Sequence, residues 1–289
     1  MTPEPKFLLI GAGGLVGRHL RNALHGRQLV TTYRRDAPRG ALELDLTNPI
    51  AAERLVRDSR PDVILLAAAD AWVERCEREP VATRVVNVDA PRAIAQAAAA
   101  SGALLVAFSS EYVFDGGLGA YSESDRRAPI NEYGRQKVEL EDLALEAHGL
   151  VCRTSAVFGE DPNRKNFVCQ IVDRLRDGRA IDVANDQLIT PTYAPSLAEA
   201  VVALAEQRVS GIFHIAGPAI VNRLEFARAV AEGFGLDPTL VRGRPTSEMG
   251  LAAPRPLRGG LRTDKLYGTL GHGLTDPVSA LREMARAPS

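Results

Sequence analysis

Lys6-Phe7-Leu8-Leu9-Ile10 is apolar after its lysine and passes directly into Gly11-Ala12-Gly13-Gly14-Leu15-Val16-Gly17, which opens an amphipathic segment reaching about Leu24. A strand, a glycine turn and a helix in that order leave few folds open. Glycines at 11, 14 and 17 permit a tight turn, a close approach of the backbone to a pyrophosphate, and close packing of helix on strand. The N–H groups at the helix start, Leu15 and Val16 among them, lack intrahelical partners and lie at the positive end of the helix dipole. The spacing predicts a dinucleotide site at Gly11, Gly14, Leu15, Val16 and Gly17.

The next apolar run, Gln28 to Tyr33, ends where such folds present their ribose-reading residue and delivers Tyr33-Arg34-Arg35. Guanidinium groups pair with a 2′-phosphate, whereas a carboxylate would repel it. Arg34 and Arg35 therefore favour NADPH over NADH, while Asp36 is the alternative ribose ligand that NADH would use. A short strand over Ala41 to Leu46 ends in Asp45-Leu46, where the carboxylate can meet an adenine amino group or cap the helix around Pro49 to Arg57. Val63 to Ala69 reads as a buried strand whose small end, Ala67, Ala68 and Ala69, leaves room for the cofactor.

A helix over Pro80 to Ala100, holding Asn87 as a further cofactor contact, precedes a strand from Leu104 to Phe108 and the pair Ser109-Ser110. Strand and helix alternate throughout this half. The pattern predicts an α/β fold, a doubly wound parallel Rossmann sheet with right-handed crossovers and a smaller C-terminal substrate-binding lobe. The sheet domain is expected over 1–155, completed by about 196–216, and the lobe over 156–195 and 217–289. Beyond residue 155, helices are expected at Asn166 to Asp177, Ser196 to Glu206, Leu224 to Phe234 and Leu281 to Arg286, and Pro245 to Pro256 as an exposed loop.

Tyr133-Gly134-Arg135-Gln136-Lys137 sets a phenol and an ammonium on one face of the helix Asn131 to His148. With 4 lysines against 31 arginines in the chain, a lysine there stands out. The formal charge of -1 gives no nucleic-acid footprint, so small molecules are the expected partners. Cys76, Cys152 and Cys169, odd in number and in apolar surroundings, are expected as buried free thiols of a reducing compartment. The polar stretch Met1 to Lys6 has no signal-peptide layout, and the apolar run Val63 to Val73 is too short to span a bilayer. A cytoplasmic protein without membrane contact is expected. The five histidines never reach metal-ligand spacing, so no metal is expected.

Taken together, Gly11-x-x-Gly14-x-x-Gly17, a serine after the fifth strand and Tyr133-x-x-x-Lys137 resemble the extended short-chain dehydrogenase/reductases, over Phe7 to about Leu274. Within them, Glu111-Tyr112-Val113-Phe114-Asp115-Gly116, Asn166-Phe167, Asn185-Asp186-Gln187 with Pro191-Thr192, and Arg255-Pro256 before Thr263-Asp264-Lys265-Leu266 most resemble the dTDP-4-dehydrorhamnose reductases and related sugar-nucleotide 4-ketoreductases. Ala156 departs from that pattern, standing where those enzymes carry an aromatic residue.

The resemblance implies NADPH-dependent reduction of a 4-keto group on a nucleotide-linked deoxysugar. Tyr133 would be the proton donor, Lys137 would hold the nicotinamide ribose and lower the phenol's pKa, and Ser110 would hydrogen-bond the substrate oxygen, with Ser109 its neighbour. Tyr112, Asn166, Gln187 and Arg258 are the implied substrate contacts. A homodimer through the helices around 81 to 100 and 131 to 148 is also implied. Two other activities share the scaffold: an epimerase or dehydratase, and a non-catalytic regulatory subunit of the methionine adenosyltransferase type.

Overall fold

The computed structural model describes residues 4–286; residues 1–3 of the polar N-terminal stretch and 287–289 of the expected lobe lie outside the described residues. Among the described residues, seven parallel strands form the central sheet. Six come in sequence: β1 (Phe7–Ile10), β2 (Leu29–Tyr33), β3 (Leu42–Glu43), β4 (Val63–Leu66), β5 (Leu104–Ser110) and β6 (Leu150–Thr154). Their order is β6-β5-β4-β1-β2-β3, and the late strand Gly211–His214 adds to the outer side of β6. The order reverses between β1 and β4, the crevice at which doubly wound sheets bind ligands.

Both faces of the sheet are covered, which is why its strands are apolar without alternation. Phe7 and Leu9 of β1 pack towards α1 (Leu15–Ala23) and the helix Ala194–Glu206, whose Leu20, Leu197 and Val201 share their core. Leu8 and Ile10 pack the other way, against α2 (Pro49–Ser59), α5 (Ala90–Ser101) and α6 (Glu132–Glu146) through Val56, Ile94 and Leu140. A separate apolar cluster, with Phe158, Ile171, Phe226 and Leu281, is built from chain from residue 156 onward.

Several elements differ from the sequence expectation. The helix expected as one piece from Pro80 is α4 (Pro80–Arg84), a π-turn over Val85–Asp89, and α5. Asn87 lies within the π-turn, and its buried amide accepts from Asp70 N (2.8 Å) and donates to Asp70 O (3.0 Å) and Gln136 Oε1 (2.8 Å). An unforeseen helix, α3 (Val73–Arg78), precedes it. The cap of α2 is Asn48, which accepts from Ala51 N (3.1 Å), and not Asp45, which instead accepts from Thr47 N (2.9 Å) in a local turn. The segment Pro245–Pro256 is a strap rather than a free loop. Its Ala252 N–H and Arg255 guanidinium both reach Glu74 of α3 (2.7 and 2.5 Å), and its Pro254 carbonyl accepts from Asn131 Nδ2 (2.8 Å). The three cysteines are buried free thiols, and none of the described helices is long and apolar enough to cross a membrane.

Candidate active site

At the crevice, Gly11 has φ +94°, and a Cβ built on it would stand 2.7 Å from Ala68 Cβ. Only glycine lets the turns after β1 and β4 approach that closely. A Cβ on Gly17 would collide with the Gly11 carbonyl, so α1 sits directly on the turn. The α1 N-cap, Gly14, supplies no side-chain cap, and no acidic residue lies in the first turn. The N–H groups there, including those of Leu15 and Val16, meet an anion without a competing carboxylate.

Tyr33 packs its ring near Gly13 and accepts a hydrogen bond from Arg21 Nη1 (2.9 Å). Beyond it Arg34, Arg35 and Asp36 are exposed, and both arginines help hold the Asp45 carboxyl below its ordinary value, after the larger effect of the Thr47 backbone hydrogen bond. Leu46 turns its side chain into the core, and Ala67, Ala68 and Ala69 directly follow β4, with Ala68 against Gly11 and Ala69 exposed. These residues fit a dinucleotide carrying a 2′-phosphate.

Ser110, Tyr133 and Lys137, the residues expected to be catalytic, meet where β5 ends and α6 begins. Asn131 caps α6 by accepting from Gly134 N (2.8 Å), which fixes Tyr133 and Lys137 one turn apart on the face towards β5. Ser110 closes β5 and accepts from Tyr112 N (3.3 Å). The Tyr112 ring stands edge-on to Tyr133, with centroids 5.9 Å apart and an interplanar angle of 82°.

Lys137, 3% exposed, donates from Nζ to the Phe108 carbonyl (2.8 Å) and lies 5.6 Å from the Tyr133 ring centroid. Burial pulls its ammonium down to about 8. Burial also pushes the Tyr133 phenol above its ordinary value, with Cys76 and Tyr112 adding to the rise and Ser110 opposing it. The expected lowering of the phenol by Lys137 is therefore not a property of the protein alone. Near neutral pH the phenol keeps its proton, the form a proton donor needs.

The Lys137 shift carries a stability consequence. Its folded pKa lies below the unfolded value of 10.5, so the buried ammonium destabilises the folded state below pH 8, and that burden is relieved as pH rises from about 8 to 10.5. The gap corresponds to about 3 kcal/mol, of which about 1 is offset in a Lys137→Met variant by the lost bond to Phe108 O. Lys137→Met is expected to unfold later than wild type at pH 7. Melting curves at pH 7 and pH 10.5 check this, the advantage shrinking at the higher pH.

The other expected contacts divide. Tyr112 is at the site. Asn166 caps the helix Phe167–Arg176 by accepting from Cys169 N (3.2 Å) and donates to Gly159 O (3.0 Å). Gln187 donates to Thr246 Oγ1 (2.9 Å). The Asn166 amide is engaged at both its oxygen and its nitrogen, whereas the bond to Thr246 leaves the Gln187 Oε1 and its second N–H open to a substrate. Arg258 is exposed where its backbone N–H donates to Gly116 O (2.9 Å).

Three groups at this end were not foreseen. Arg255 faces the Tyr112 ring at 6.0 Å, and Arg223, stacked 4.2 Å over Phe167, is coupled by charge to Tyr112 and Arg255 and has no carboxylate within ion-pair distance among the described residues. Glu111, buried beneath them, accepts from Gly260 N (3.0 Å). Arg255-Pro256 was visible as a sequence landmark, but nothing local marks Arg223.

Comparison with known proteins gives a consistent outcome. The family model described as "RmlD substrate binding domain" matches residues 5–287. A dTDP-4-dehydrorhamnose reductase of Mycobacterium tuberculosis is 36% identical over 86% of this chain and 82% of its own length. Methionine adenosyltransferase 2 subunit beta of Pongo abelii is 31% identical over 95% of this chain and 85% of its own. Among solved structures, a dTDP-4-dehydrorhamnose reductase of Bacillus anthracis in complex with NADP superposes with a TM-score of 0.88 at 26% identity, covering 98% of this chain and 99% of that one.

Proposed function

The chain belongs to the RmlD substrate binding domain family, and from that membership we propose that it catalyses NADPH-dependent reduction of a 4-keto group on a nucleotide-linked deoxysugar. The observation that carries this reading is the meeting of Tyr133, Lys137 and Ser110 where β5 ends and α6 begins, beside a glycine turn whose uncapped helix start leaves N–H groups free for an anion. Carbonyl reduction needs a hydride at carbon and a proton at oxygen. When bound, the reduced nicotinamide supplies the hydride.

Tyr133 gives its proton to the carbonyl oxygen, and Ser110 donates a hydrogen bond to that oxygen as charge develops on it. Lys137 holds the nicotinamide ribose and stabilises the phenolate left by the transfer. The lobe of residues 156–195 and 217–289 receives the sugar nucleotide, with Tyr112 against the sugar and the guanidinium groups of Arg223 and Arg255 facing the diphosphate. Arg34 and Arg35 take the 2′-phosphate. A homodimer through the outer faces of the helices around 81 to 100 and 131 to 148 accompanies this reading.

A panel of dTDP-, GDP- and UDP-linked 4-keto sugars, with NADPH loss followed and products identified, tests the reading. One keto sugar is expected to consume NADPH in equal amount. Conversion without NADPH loss would mark an epimerase or dehydratase instead. The likeness to the methionine adenosyltransferase subunit favours a second reading, a non-catalytic partner. Its signature would be no turnover across the panel together with co-purification of another enzyme, and the intact Ser110, Tyr133 and Lys137 speak against it. In the same assay, Arg34→Ala combined with Arg35→Ala is expected to cut the preference for NADPH over NADH by about tenfold or more, the loss of one or two charge-assisted pairs. An unchanged ratio would remove both arginines from the cofactor site.

A further inference from the structure

Helix α6 carries Tyr133, Lys137 and Glu141 at successive four-residue steps, so all three share one face. Glu141 is completely buried, and both of its oxygens are saturated. Ser109 Oγ (2.5 Å) and Arg153 Nε (2.8 Å) donate to Oε1; Arg153 Nη2 (2.8 Å) and Arg127 Nη1 (3.2 Å) donate to Oε2. Arg153, 1% exposed, is fixed further by Phe114, 5.0 Å below its guanidinium, and by His214 Nε2 at 3.3 Å.

A buried ion pair of this kind is a weak source of stability, because desolvation offsets most of its attraction and apolar side chains of similar volume serve packing as well. Its placement is informative. Ser109 lies on β5, Glu141 on α6 and Arg153 on β6, and two of these elements carry the reacting groups. Adjacent residues of a strand point to opposite faces, so a clamp on Ser109 from behind fixes the direction of the Ser110 hydroxyl in front.

The charge environment of Lys137 has the same centre. Facing it are Tyr133 and Glu141 from its own helix, Cys76 from α3 and the Phe108 carbonyl from β5. Asp70, after β4, acts on Tyr133. Arg153 of β6 and Arg127 of the preceding loop stand behind Glu141, with Asp142 pairing the outer side of Arg127 (2.7 Å) and His214 beside Arg153.

We propose that Glu141 is a positioning residue for the reduction: through Ser109 and Arg153 it fixes the end of β5 against α6, and its carboxylate offsets the two arginines that would otherwise confront Lys137. This role rests on the reductase reading. Three variants separate its parts. Glu141→Gln removes the charge, Ser109→Ala removes one arm of the clamp and keeps the ion pair, and Arg127→Gln removes a positive charge at the half-buried rim.

The chain holds only Lys6, Lys137, Lys165 and Lys265, so selectively labelled lysine lets Lys137 be titrated by NMR in the full-length protein without substrate. Glu141→Gln is expected to lower the Lys137 midpoint by about one pH unit and Arg127→Gln to raise it, while Ser109→Ala leaves it in place. In turnover, Glu141→Gln and Ser109→Ala are both expected to lower kcat about tenfold with KM changed less than about twofold, since misplacing a reacting group acts on the chemical step. A Lys137 midpoint unmoved by Arg127→Gln overturns the charge role. A kcat for Ser109→Ala equal to wild type overturns the clamp. Both of these outcomes are readable even where Glu141→Gln does not fold. If the wild-type enzyme reduces no keto sugar, the reductase reading fails, and the titration still decides whether these charges govern Lys137.

Discussion

Tyr133→Phe is expected to lower kcat about a thousandfold while leaving NADPH affinity within about twofold. The substitution removes one oxygen and keeps the ring that stands edge-on to Tyr112, so packing is preserved and only the proton donor is lost. A thousandfold is about 4 kcal/mol of transition-state stabilisation, the middle of what a positioned general acid supplies. A phenol keeps its proton at neutral pH, and burial raises the Tyr133 pKa further, so the loss should extend across the neutral pH range rather than open only at one end. Stopped-flow single turnovers with saturating NADPH measure the chemical step directly. A Phe variant that reduces the sugar at the wild-type rate would transfer the proton-donor role to another group, and with it the whole reading of this face of α6.

Gly134→Ala should be nearly as damaging, though the added group is a single methyl. Helix propensity alone favours alanine over glycine by about 1 kcal/mol. Here that preference is overruled by contact. A Cβ at 134 would overlap the Tyr112 carbonyl and stand 2.9 Å from Pro129 Cβ. Neither neighbour is a flexible side-chain end, so α6 itself must move. Overpacking of this kind costs about 1 to 3 kcal/mol, and an ångström of displacement at a reacting group costs about a hundredfold in rate. A lower melting temperature together with a kcat down about a hundredfold is the expected pair of results. Wild-type values for both would mean that the 3₁₀ turn Glu111–Val113 yields easily, and that the glycine beside Tyr133 serves something other than close approach.

Much of the site could be found from sequence because its signals are local. The β1 turn announces itself through four glycines in seven residues, and the structure gives three of them a reason: a left-handed backbone and contact with Ala68 at Gly11, an uncapped helix start at Gly14, and the Gly11 carbonyl against Gly17. Tyr133 and Lys137 announce themselves through helical spacing, and Glu141 continues the same spacing.

What escaped notice depends on partners distant in the chain. The Glu74–Arg255 pair joins residues separated by 181 positions, and periodicity is blind to such a contact. The π-turn at Asn87 inserts one residue without changing composition, so a continuous helical pattern hid it. Asp45 and Asn48 are equally good caps by residue type, and only the backbone path after β3 decides between them. The hydrogen bonds that Asn166 and Gln187 make inside the lobe follow from how that lobe closes on itself, which their residue type alone does not announce.

The strand Gly211–His214, which completes the sheet beside β6, has a consequence for how the protein is made. β6 ends at Thr154, and its final neighbour begins at residue 211, after the 56 residues 155–210. At ordinary elongation rates of about 5 to 20 residues per second, the nascent chain presents an unpaired strand edge on the ribosome for roughly 3 to 11 seconds. Leu150, Val151 and Cys152 of that edge strand are fully buried in the finished molecule. Those seconds are the interval in which a chaperone that binds extended apolar chain has a target, and a fragment ending near residue 155 would keep that edge open permanently.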